Sequence, residues 1–429
     1  MTSPNSATTP ALRTVSPDDL PARRRPPVDR ATLDAAQRII DEIERDGDAA
    51  VRRFAERFGE CAPGDPLVLE ARDLSAAADR IDRETRGVLE RVAERIGTFA
   101  RAQRDAIAAV DVPVPGGRAG HDVLPVASAG CYAPGGRYPL PSSALMTAVT
   151  ARAAGVERVV VASPGAHPVT LAAAAIAGAD AFLPIGGAHA IAAFAFGIDS
   201  HGPLDMAVGP GNKWVTAAKQ LLAGRIGIDM LAGPSELLVL TDASADPATV
   251  AADLLSQAEH DPDAVPSLIT TDPEQPALVN AAIAEQLAEM PTRDTAAIAL
   301  GNGFCCVAPS TEQAARLAST LAPEHLEIHT SDPEHTARLV TSAGGVFIGE
   351  HAAEVLGDYG AGPNHTLPTG GTARFSAGLS VSNFLRLRTW LRIDDPAAAS
   401  PLTDDAAHLA RIEGLIAHER SADRRRATR

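Results

Sequence analysis

The chain has 429 residues, which is long for a single hydrophobic core and predicts two or more domains. Aromatic residues make up only 3% of it, so the cores must consist largely of Ala, Val, Leu and Ile, which suits helices packed on parallel strands. The formal net charge of −16 argues against nucleic acid and against an anionic membrane surface as the main partner.

The four cysteines do not indicate a thiolate metal site or a disulfide framework. None of them belongs to a Cys-x-x-Cys pair, and Cys305 and Cys306 are adjacent on an apparent strand. We therefore expect a reducing, cytoplasmic setting. We also expect no signal peptide, because the N-terminus lacks an apolar segment, and no membrane span, because the longest apolar tract, around residues 171–185, is short and interrupted.

The first half of the chain changes from a polar tail to helices and then to alternating strands and helices. Residues 1–30, rich in Ser, Thr, Pro and Arg, are expected to be a flexible N-terminal segment. Apolar residues at helical spacing predict helices over residues 31–58, divided at Gly47, and over residues 80–108. Between residues 159 and 240, short apolar runs alternate with Ala-rich segments, which predicts βαβ units and a parallel sheet.

A second alternating series occupies the rest of the chain. It begins with Asp246, the predicted N-cap of a helix, and continues to a strand that ends near Ile348. Glycines crowd residues 357–378, which we predict to be a long functional loop. A single helix is predicted over residues 406–422.

The first pair of candidate site residues is Gln257 and His260, three positions apart at the end of the helix that begins at Asp246. Both side chains therefore point from one face. An oxygen donor and an imidazole at this spacing can bind a metal. A histidine at a helix end is also a common partner of the helix dipole, so the fragment alone leaves both interpretations open.

The second pair is Glu324 and His325, which follow Pro323 at a predicted helix-to-strand junction. The proline is expected to end the helix and to leave both residues on a loop beside a sheet edge. A Glu and a His side by side can serve as two separate proton-transfer groups, because their ordinary pKa values differ. The alternative is a helix end with solvated charges.

The glycine-rich loop contributes Asp358, a plausible oxygen ligand of a metal, and His365, a ligand or an orienting group. Glu413 and His418 lie in the last predicted helix. Their spacing of five does not place them on one face of an ideal helix, but Gly414 between them is compatible with a bend. The alternative for this last pair is surface charge.

Glycine loops also occur beside several predicted strands, where α/β folds bind ligands. They cover residues 130–136, 186–187, 209–212 and 232–236. No strand is followed by Gly-x-Gly-x-x-Gly, so the usual dinucleotide fingerprint is absent and phosphate would have to be held in another way. The His-Glu-x-x-His signature of zinc proteases is absent as well.

Taken together and in this order, the fragments resemble the histidinol dehydrogenase family from about residue 31 to residue 422. The segments that carry the resemblance are AGCYAPGGRYPLPSSALM, VGPGNKWVT, DMLAGPSELLVL, LLSQAEHDPDA, LAPEHLEI, GDYGAGPNHTLPT and EGLIAH. The resemblance implies an α/β fold with two incomplete Rossmann-like domains, each with a parallel sheet, plus small helical N- and C-terminal pieces.

The resemblance also implies a division of the chain. After the flexible segment 1–30, residues 31–130 would form N-terminal helices and the start of the first α/β domain. Residues 131–236 would form the second Rossmann-like domain, on the NAD side, and residues 237–380 the remainder of the first domain, with the metal and catalytic residues. Residues 381–429 would form a helical arm exchanged across a homodimer, so that active sites are shared.

The implied cofactors are Zn²⁺ and NAD. The metal ligands would be Gln257, His260, Asp358 and, from the neighbouring subunit, His418. The NAD site would be lined by Tyr132, His189 and Asn212. The substrate, a small amino alcohol, would be bound by Ser235, Gln257, His260, Glu324, His325, Asp358, Glu413 and His418, with Glu413 also supplied by the neighbouring subunit.

The implied reaction is the oxidation of L-histidinol to L-histidine through the aldehyde, with Glu324 and His325 as the catalytic residues. His325 would take the hydroxyl proton and Glu324 would activate the water that adds to the aldehyde. The sequence departs from the family at His189, where glutamine is usual. Segments such as RFSAGLSVSNFL also resemble paralogues that oxidise other small alcohols, for example sulfopropanediols, and these remain an alternative.

Overall fold

A computed structural model describes residues 11–20, 27–135 and 139–426. Its strands are β1 (Arg13–Val15), β2 (Leu69–Glu70), β3 (Val110–Val114), β4 (Gly117–Pro125), β5 (Ser128–Tyr132), β6 (Arg158–Ala162), β7 (Ala181–Leu183), β8 (Met206–Val208), β9 (Gly227–Ile228), β10 (Glu236–Thr241), β11 (Val265–Thr270), β12 (Phe304–Val307), β13 (His325–His329), β14 (Gly345–Ile348) and β15 (Leu385–Ile393). Its α-helices are α1 (Arg30–Asp46), α2 (Asp48–Arg57), α3 (Ala71–Ala78), α4 (Arg83–Asp105), α5 (Pro141–Ala154), α6 (Pro168–Ile176), α7 (Gly187–Phe196), α8 (Lys213–Leu222), α9 (Pro247–Ala258), α10 (Gln275–Leu287), α11 (Arg293–Leu300), α12 (Thr311–Leu321), α13 (Pro333–Leu339), α14 (Glu354–Asp358), α15 (Ser400–Ile412) and α16 (Ile416–Asp423).

One six-stranded sheet, here called the first sheet, has the order β1-β12-β11-β10-β13-β14 and all its pairs are parallel. A second six-stranded sheet has the order β2-β7-β6-β5-β8-β9 and is parallel except for β2. Alternate residues of a strand point to opposite faces of its sheet. Both faces of each sheet therefore carry apolar side chains, and helices pack on them. In β6, Val159 and Val161 contribute to one core, and Val160 and Ala162 to another. The α/β fold class with two parallel-sheet domains is therefore confirmed.

The N-terminal region contributes one short strand and four helices. Within the segment predicted to be flexible, Arg13–Val15 forms β1 and pairs with β12, and Leu12 is buried. Residues 1–10 and 21–26, which include the arginines at 23–25, lie outside the described residues. Residues 31–130, predicted as N-terminal helices and the start of the first α/β domain, contain α1 to α4, which pack on helices of the second sheet, where their apolar faces are covered.

A third sheet was not predicted. It is antiparallel, with the order β15-β4-β3, and pairs the start of the C-terminal region with residues more than 250 positions earlier. The last predicted helix is two helices, α15 and α16, which are separated at Gly414 with φ +74°. No helix in the described part of the chain is long and apolar enough to span a bilayer.

Candidate active site

Strand β13 supplies a row of polar side chains to one face of the first sheet. Its sequence, His-Leu-Glu-Ile-His, alternates polar and apolar residues. Leu326 and Ile328 pack into the core beneath α12. By alternation, His325, Glu327 and His329 point to the opposite face, and all three are buried.

Glu324 and His325 were predicted on a loop beside a sheet edge, but they lie at the amino end of an inner strand, with Glu324 directly before it. Ala322 adopts a left-handed conformation with φ 48°, which ends α12 and turns the chain directly into β13, between β10 and β14. Only 6% of Glu324 and 4% of His325 are exposed. The pair is therefore a buried acid and base rather than a pair of surface charges.

The backbone of Glu236, at the start of β10, holds both side chains. Its N–H donates to Glu324 Oε2 at 2.9 Å, and its carbonyl lies 3.1 Å from His325 Nδ1. A carbonyl can only accept, so Nδ1 carries the proton and the neutral imidazole keeps its lone pair on Nε2. Among the described residues, His325 Nε2 has no hydrogen-bond partner. This atom is available as a base.

Burial shifts both groups toward their neutral forms. It lowers the pKa of His325 to about 4, against the smaller opposing effect of the Asp358 carboxylate. Burial likewise raises the pKa of Glu324 well above its usual value. Glu354, on α14, lies 3.4 Å from His325 Nδ1, and burial raises the pKa of its carboxyl too. Two titratable groups with oppositely shifted pKa values are typical of an acid–base site.

Two of the predicted metal residues, His260 and Asp358, meet beside this pair. Asp358 lies between two imidazoles, with Oδ2 3.7 Å from His260 Nε2 and Oδ1 3.9 Å from His325 Nε2. His260 Nδ1 faces the carbonyl of Ser256 at 3.0 Å, which leaves Nε2 for a ligand. Gln257, in the last turn of α9, is 1% exposed, and its Oε1 has no partner among the described residues.

These donors fit a zinc ion. A free imidazole nitrogen and a carboxylate are usual zinc ligands, and the unpartnered amide oxygen of Gln257 is a further oxygen donor without a hydrogen bond. Three of them also leave one position for a fourth ligand. His325, Glu354 and Asp358 form a second possible grouping, with donor atoms within 4.8 Å of one another. Asp358 belongs to both groupings.

His365 and Ser235 support the site from two sides. His365 Nδ1 donates to the Asp358 carbonyl at 3.0 Å, and Ser143 Oγ lies 3.3 Å from its Nε2. His365 therefore orients the loop that carries Asp358. Ser235 is half-buried immediately before Glu236, at the same end of β10.

The second sheet offers a ligand crevice of its own. β6 and β7 lie on one side of β5, whereas β8 and β9 lie on the other, so the strand order reverses between β5 and β8. Ligands of such sheets bind at this reversal, outside the carboxyl ends of the strands. Tyr132 ends β5, and Asn212 follows β8 as the N-cap of α8. Two predicted NAD residues thus stand at the ends of adjacent strands.

Tyr132 and His189 are buried, whereas Asn212 is exposed. Gly187 N–H donates to the Tyr132 hydroxyl at 3.2 Å, and burial raises the pKa of Tyr132 to about 12. His189 Nε2 lies 2.6 Å from Glu60 Oε2. Glu60 is a partner that no local pattern in the sequence reveals, because it lies 129 positions away.

Comparison with known proteins gives a consistent result. The family model described as histidinol dehydrogenase matches residues 23–426. A histidinol dehydrogenase of Halobacterium salinarum is 44% identical over 93% of this chain and 94% of its own length. That of Thermus thermophilus is 42% identical over 94% and 97%. The chain belongs to the histidinol dehydrogenase family.

A solved structure agrees with this assignment. Histidinol dehydrogenase from Elizabethkingia anophelis superimposes with a TM-score of 0.90 at 30% identity, covering 96% of this chain and 98% of that one. The resemblance inferred from the sequence motifs is therefore confirmed. As a member of the histidinol dehydrogenase family, the chain is an NAD-dependent dehydrogenase.

Two residues that the family resemblance assigns to the site are not brought to it within one chain. Glu413 and His418 are both exposed on the α15–α16 arm. The side-chain ion pairs of these two helices, such as Arg411–Glu419 and Arg426–Asp404, stay inside the arm. Large apolar side chains of the same arm are exposed, namely Leu409, Ile412, Leu415 and Ile416.

Sequence reasoning missed Glu236, Glu354 and the buried pair formed by Lys219 and Asp229. Lys219 Nζ lies 2.6 Å from Asp229 Oδ1, with 4% and 0% of the two side chains exposed. Lys219 falls on the apolar face of α8, at helical spacing from Val215 and Leu222. A lone lysine on such a face was a signal that could have revealed the pair.

Proposed function

We propose that this chain oxidises L-histidinol to L-histidine in two successive steps through the aldehyde, with NAD as oxidant and a zinc ion in the site. The observation that carries the proposal is the free Nε2 of a buried, neutral His325, facing Asp358 beside the possible metal ligands Gln257 and His260. Bound NAD supplies the two-electron acceptor for each step, and bound zinc supplies an anchor for the lone pairs of the substrate's imidazole and amine.

His325 acts as the base in both oxidations. Its Nδ1–H is fixed on the Glu236 carbonyl, so Nε2 can take the proton of the substrate hydroxyl. Because burial lowers its pKa to about 4, the imidazole is neutral and ready at pH 7. The imidazolium formed is stabilised by the carboxylate of Asp358, whose Oδ1 lies 3.9 Å from His325 Nε2.

Glu324 acts between the two oxidations. Its Oε2 is held by the Glu236 N–H, which fixes the carboxyl beside His325. A carboxylate whose pKa is raised by burial is a stronger base when ionised, and it can take a proton from the water that adds to the aldehyde. The resulting gem-diol again offers a hydroxyl proton to His325. Retaining the aldehyde avoids release of a reactive intermediate.

A substrate panel tests this proposal. The zinc-loaded enzyme is mixed with NAD and, separately, with histidinol, histidinal and a sulfonated propanediol, and NADH absorbance is followed. We expect turnover of histidinol and histidinal, with two NADH formed per histidinol. Turnover of the sulfonated diol alone would assign the chain to a paralogous alcohol dehydrogenase with the same zinc and NAD chemistry.

We propose further that the active sites are shared in a homodimer. In this arrangement, His418 of the partner subunit supplies the fourth metal ligand and Glu413 of the partner subunit receives the substrate's ammonium group. Three facts support the proposal: the two residues are exposed, the arm around them is apolar, and the site within one chain offers three zinc donors. Exposed apolar patches of this kind mark interaction surfaces.

Complementation between two inactive variants tests the shared site. His260→Ala has a defective core and an intact arm, whereas His418→Ala has the reverse. A mixed dimer of the two contains one intact site and one site with both defects. Refolding them together should recover about a quarter of wild-type activity, given random pairing into dimers. If mixtures verified to contain the mixed dimer stay inactive, the arm does not serve the partner's site.

A further inference from the structure

The polar row of β13 continues beyond the active site into a second buried cluster. His329 Nε2 lies 3.7 Å from Glu327 Oε2 and 4.0 Å from Asp253 Oδ2, which comes from α9. The side chains of His329 and Glu327 are fully buried, and only 14% of Asp253 is exposed. One donor atom from each residue falls within 4.8 Å of the other two.

The cluster has more polar atoms than partners. Among the described residues, no hydrogen bond reaches either ring nitrogen of His329. The carboxyls of Asp253 and Glu327 are within hydrogen-bond reach of each other, which requires a proton on one of them. Glu327 uses its other oxygen, Oε1, to accept the N–H of Glu354 at 2.5 Å. No lysine or arginine of the described chain forms an ion pair with Asp253 or Glu327. Buried, unpaired polar atoms of this kind are costly unless something satisfies them.

The donor set and spacing match a metal. Two ligand atoms that are each about 2.1 Å from a zinc ion lie about 3.4 Å apart at the tetrahedral angle, so distances of 3.7 and 4.0 Å need only a small contraction. One imidazole and two carboxylates suit a borderline divalent ion such as zinc or manganese. Such an ion would also neutralise two buried negative charges.

We propose that Asp253, Glu327 and His329 form a second divalent-cation site of the zinc or manganese class, separate from the one at His260 and Asp358. His325 and His329 are four residues apart on one strand, so their backbones are about 13 Å apart. The second site is therefore a structural one.

Its position explains what it would stabilise. Asp253 and Gln257 are four residues, or about one turn, apart on α9. His325 and His329 are also four residues apart and lie at the two ends of β13. A cation between Asp253 and His329 would fix α9 against β13, one helical turn from Gln257 and at the opposite end of β13 from His325. Two active-site residues would thus be held in register by an ion that never touches substrate.

The competing occupant is a proton shared by the two carboxyls. Burial raises the pKa values of both the Asp253 and the Glu327 carboxyl, so a proton bound between them would be the alternative to a cation. The two occupants differ in what they predict for metal content. A shared proton leaves the number of bound ions unchanged when His329 is replaced.

The test counts metal in full-length protein. Wild type, His329→Gln and Asp253→Asn are loaded with zinc or manganese, freed of excess by dialysis, and analysed by elemental mass spectrometry. Both variants should hold one ion per chain fewer than wild type. The matched control is His335→Gln, an exposed histidine on α13, which should hold as many ions as wild type. Because only the difference from wild type is read, the outcome does not depend on the occupancy of the other site.

A second measurement covers the case in which a variant fails to fold. Asp358→Ala weakens the active-site metal group, so zinc or manganese added to the stripped variant should raise its Tm through the second site, and adding His329→Gln to this variant should remove that rise. Equal metal content in wild type and the variants, or a Tm of Asp358→Ala that does not respond to either ion, would overturn the proposal. An equal loss in His335→Gln would trace the ion to the surface and overturn it as well.

Discussion

Replacing Lys219 by methionine should destabilise the second sheet strongly, because it removes one half of a buried ion pair. Lys219 Nζ donates to the Gly209 carbonyl at 2.5 Å and to Asp229, and the Gly209 N–H donates to Asp229 Oδ2 at 2.7 Å. The Lys219–Asp229 pair thus binds both the carbonyl and the N–H of Gly209, and so fixes the turn that follows β8. Methionine keeps the length of the side chain and leaves Asp229 buried without its cation.

The expected cost is about 3–5 kcal/mol, the range for removing one partner of a buried pair. The exposed fractions of 4% and 0% justify the buried range rather than the surface value of about 0–1 kcal/mol. If the second domain unfolds as a unit of about 200 residues, the Tm should fall by about 6–20 °C. The KM for NAD should rise as well, because the loosened turn leads into Asn212.

Thermal unfolding and NAD titrations of purified Lys219→Met measure both effects. Lys213→Met is the matched control, since Lys213 is exposed in the first turn of the same helix, and its stability should change by less than about 0.5 kcal/mol. The double variant Lys219→Met/Asp229→Asn removes the orphaned charge and should recover at least about 1 kcal/mol. A loss below about 1 kcal/mol in Lys219→Met, with no recovery in the double variant, would refute the reasoning.

Three further outcomes are expected at the active site. Chelation should abolish oxidation and zinc should restore it; full activity in verified metal-free enzyme would contradict the need for a metal. Asp358→Ala should weaken metal binding about tenfold or more. Glu324→Gln should slow aldehyde oxidation more than alcohol oxidation in separate single-turnover assays, because only the second half needs activated water; equal losses would count against the assigned role. Burial lowers the pKa of His325 from 6.5 to about 4, so the unfolded chain binds the extra proton first as the pH falls. The stability due to neutral His325 is therefore complete above pH 6.5 and is lost as the pH falls toward 4. In urea titrations over that range, the free energy of unfolding of metal-free wild type should fall by on the order of 3 kcal/mol relative to that of His325→Asn. An equal pH dependence of unfolding in the two proteins would exclude this contribution.

Local patterns predicted the parallel sheets well, because each strand and helix there has its own periodic signal. The apolar run of β6 and the break at Gly47 are examples. The antiparallel sheet was missed since all nine residues of β4 are half-buried and show no alternation of buried and exposed positions. Its partner β15 lies more than 250 residues away, at a separation that no local pattern reports.

For the site, the family resemblance supplied residue identities, and the structure supplied their environment. The sequence places Pro323 before Glu324 and so predicts a loop beside a sheet edge, but the left-handed turn at Ala322 directs the chain straight into an inner strand. Burial and the resulting pKa shifts depend on that tertiary arrangement. Glu236 and Glu354 could not be assigned from sequence for the same reason, because their roles arise from strand pairing and from packing of α14.

The short strand β1 has a consequence for how this chain can be trimmed. It lies outside residues 23–426, which the family model matches, yet it covers the outer edge of β12, with register Arg13 to Phe304. Leu12 is buried in the core of the first sheet. The Asn280 side chain accepts a hydrogen bond from the Leu12 N–H and donates one to the Leu12 carbonyl. Cutting the chain back to the family boundary would leave the apolar strand Phe304–Val307 as an open edge, free to pair with the same strand of another molecule. The trimmed protein should therefore aggregate through strand addition while its active site remains chemically complete.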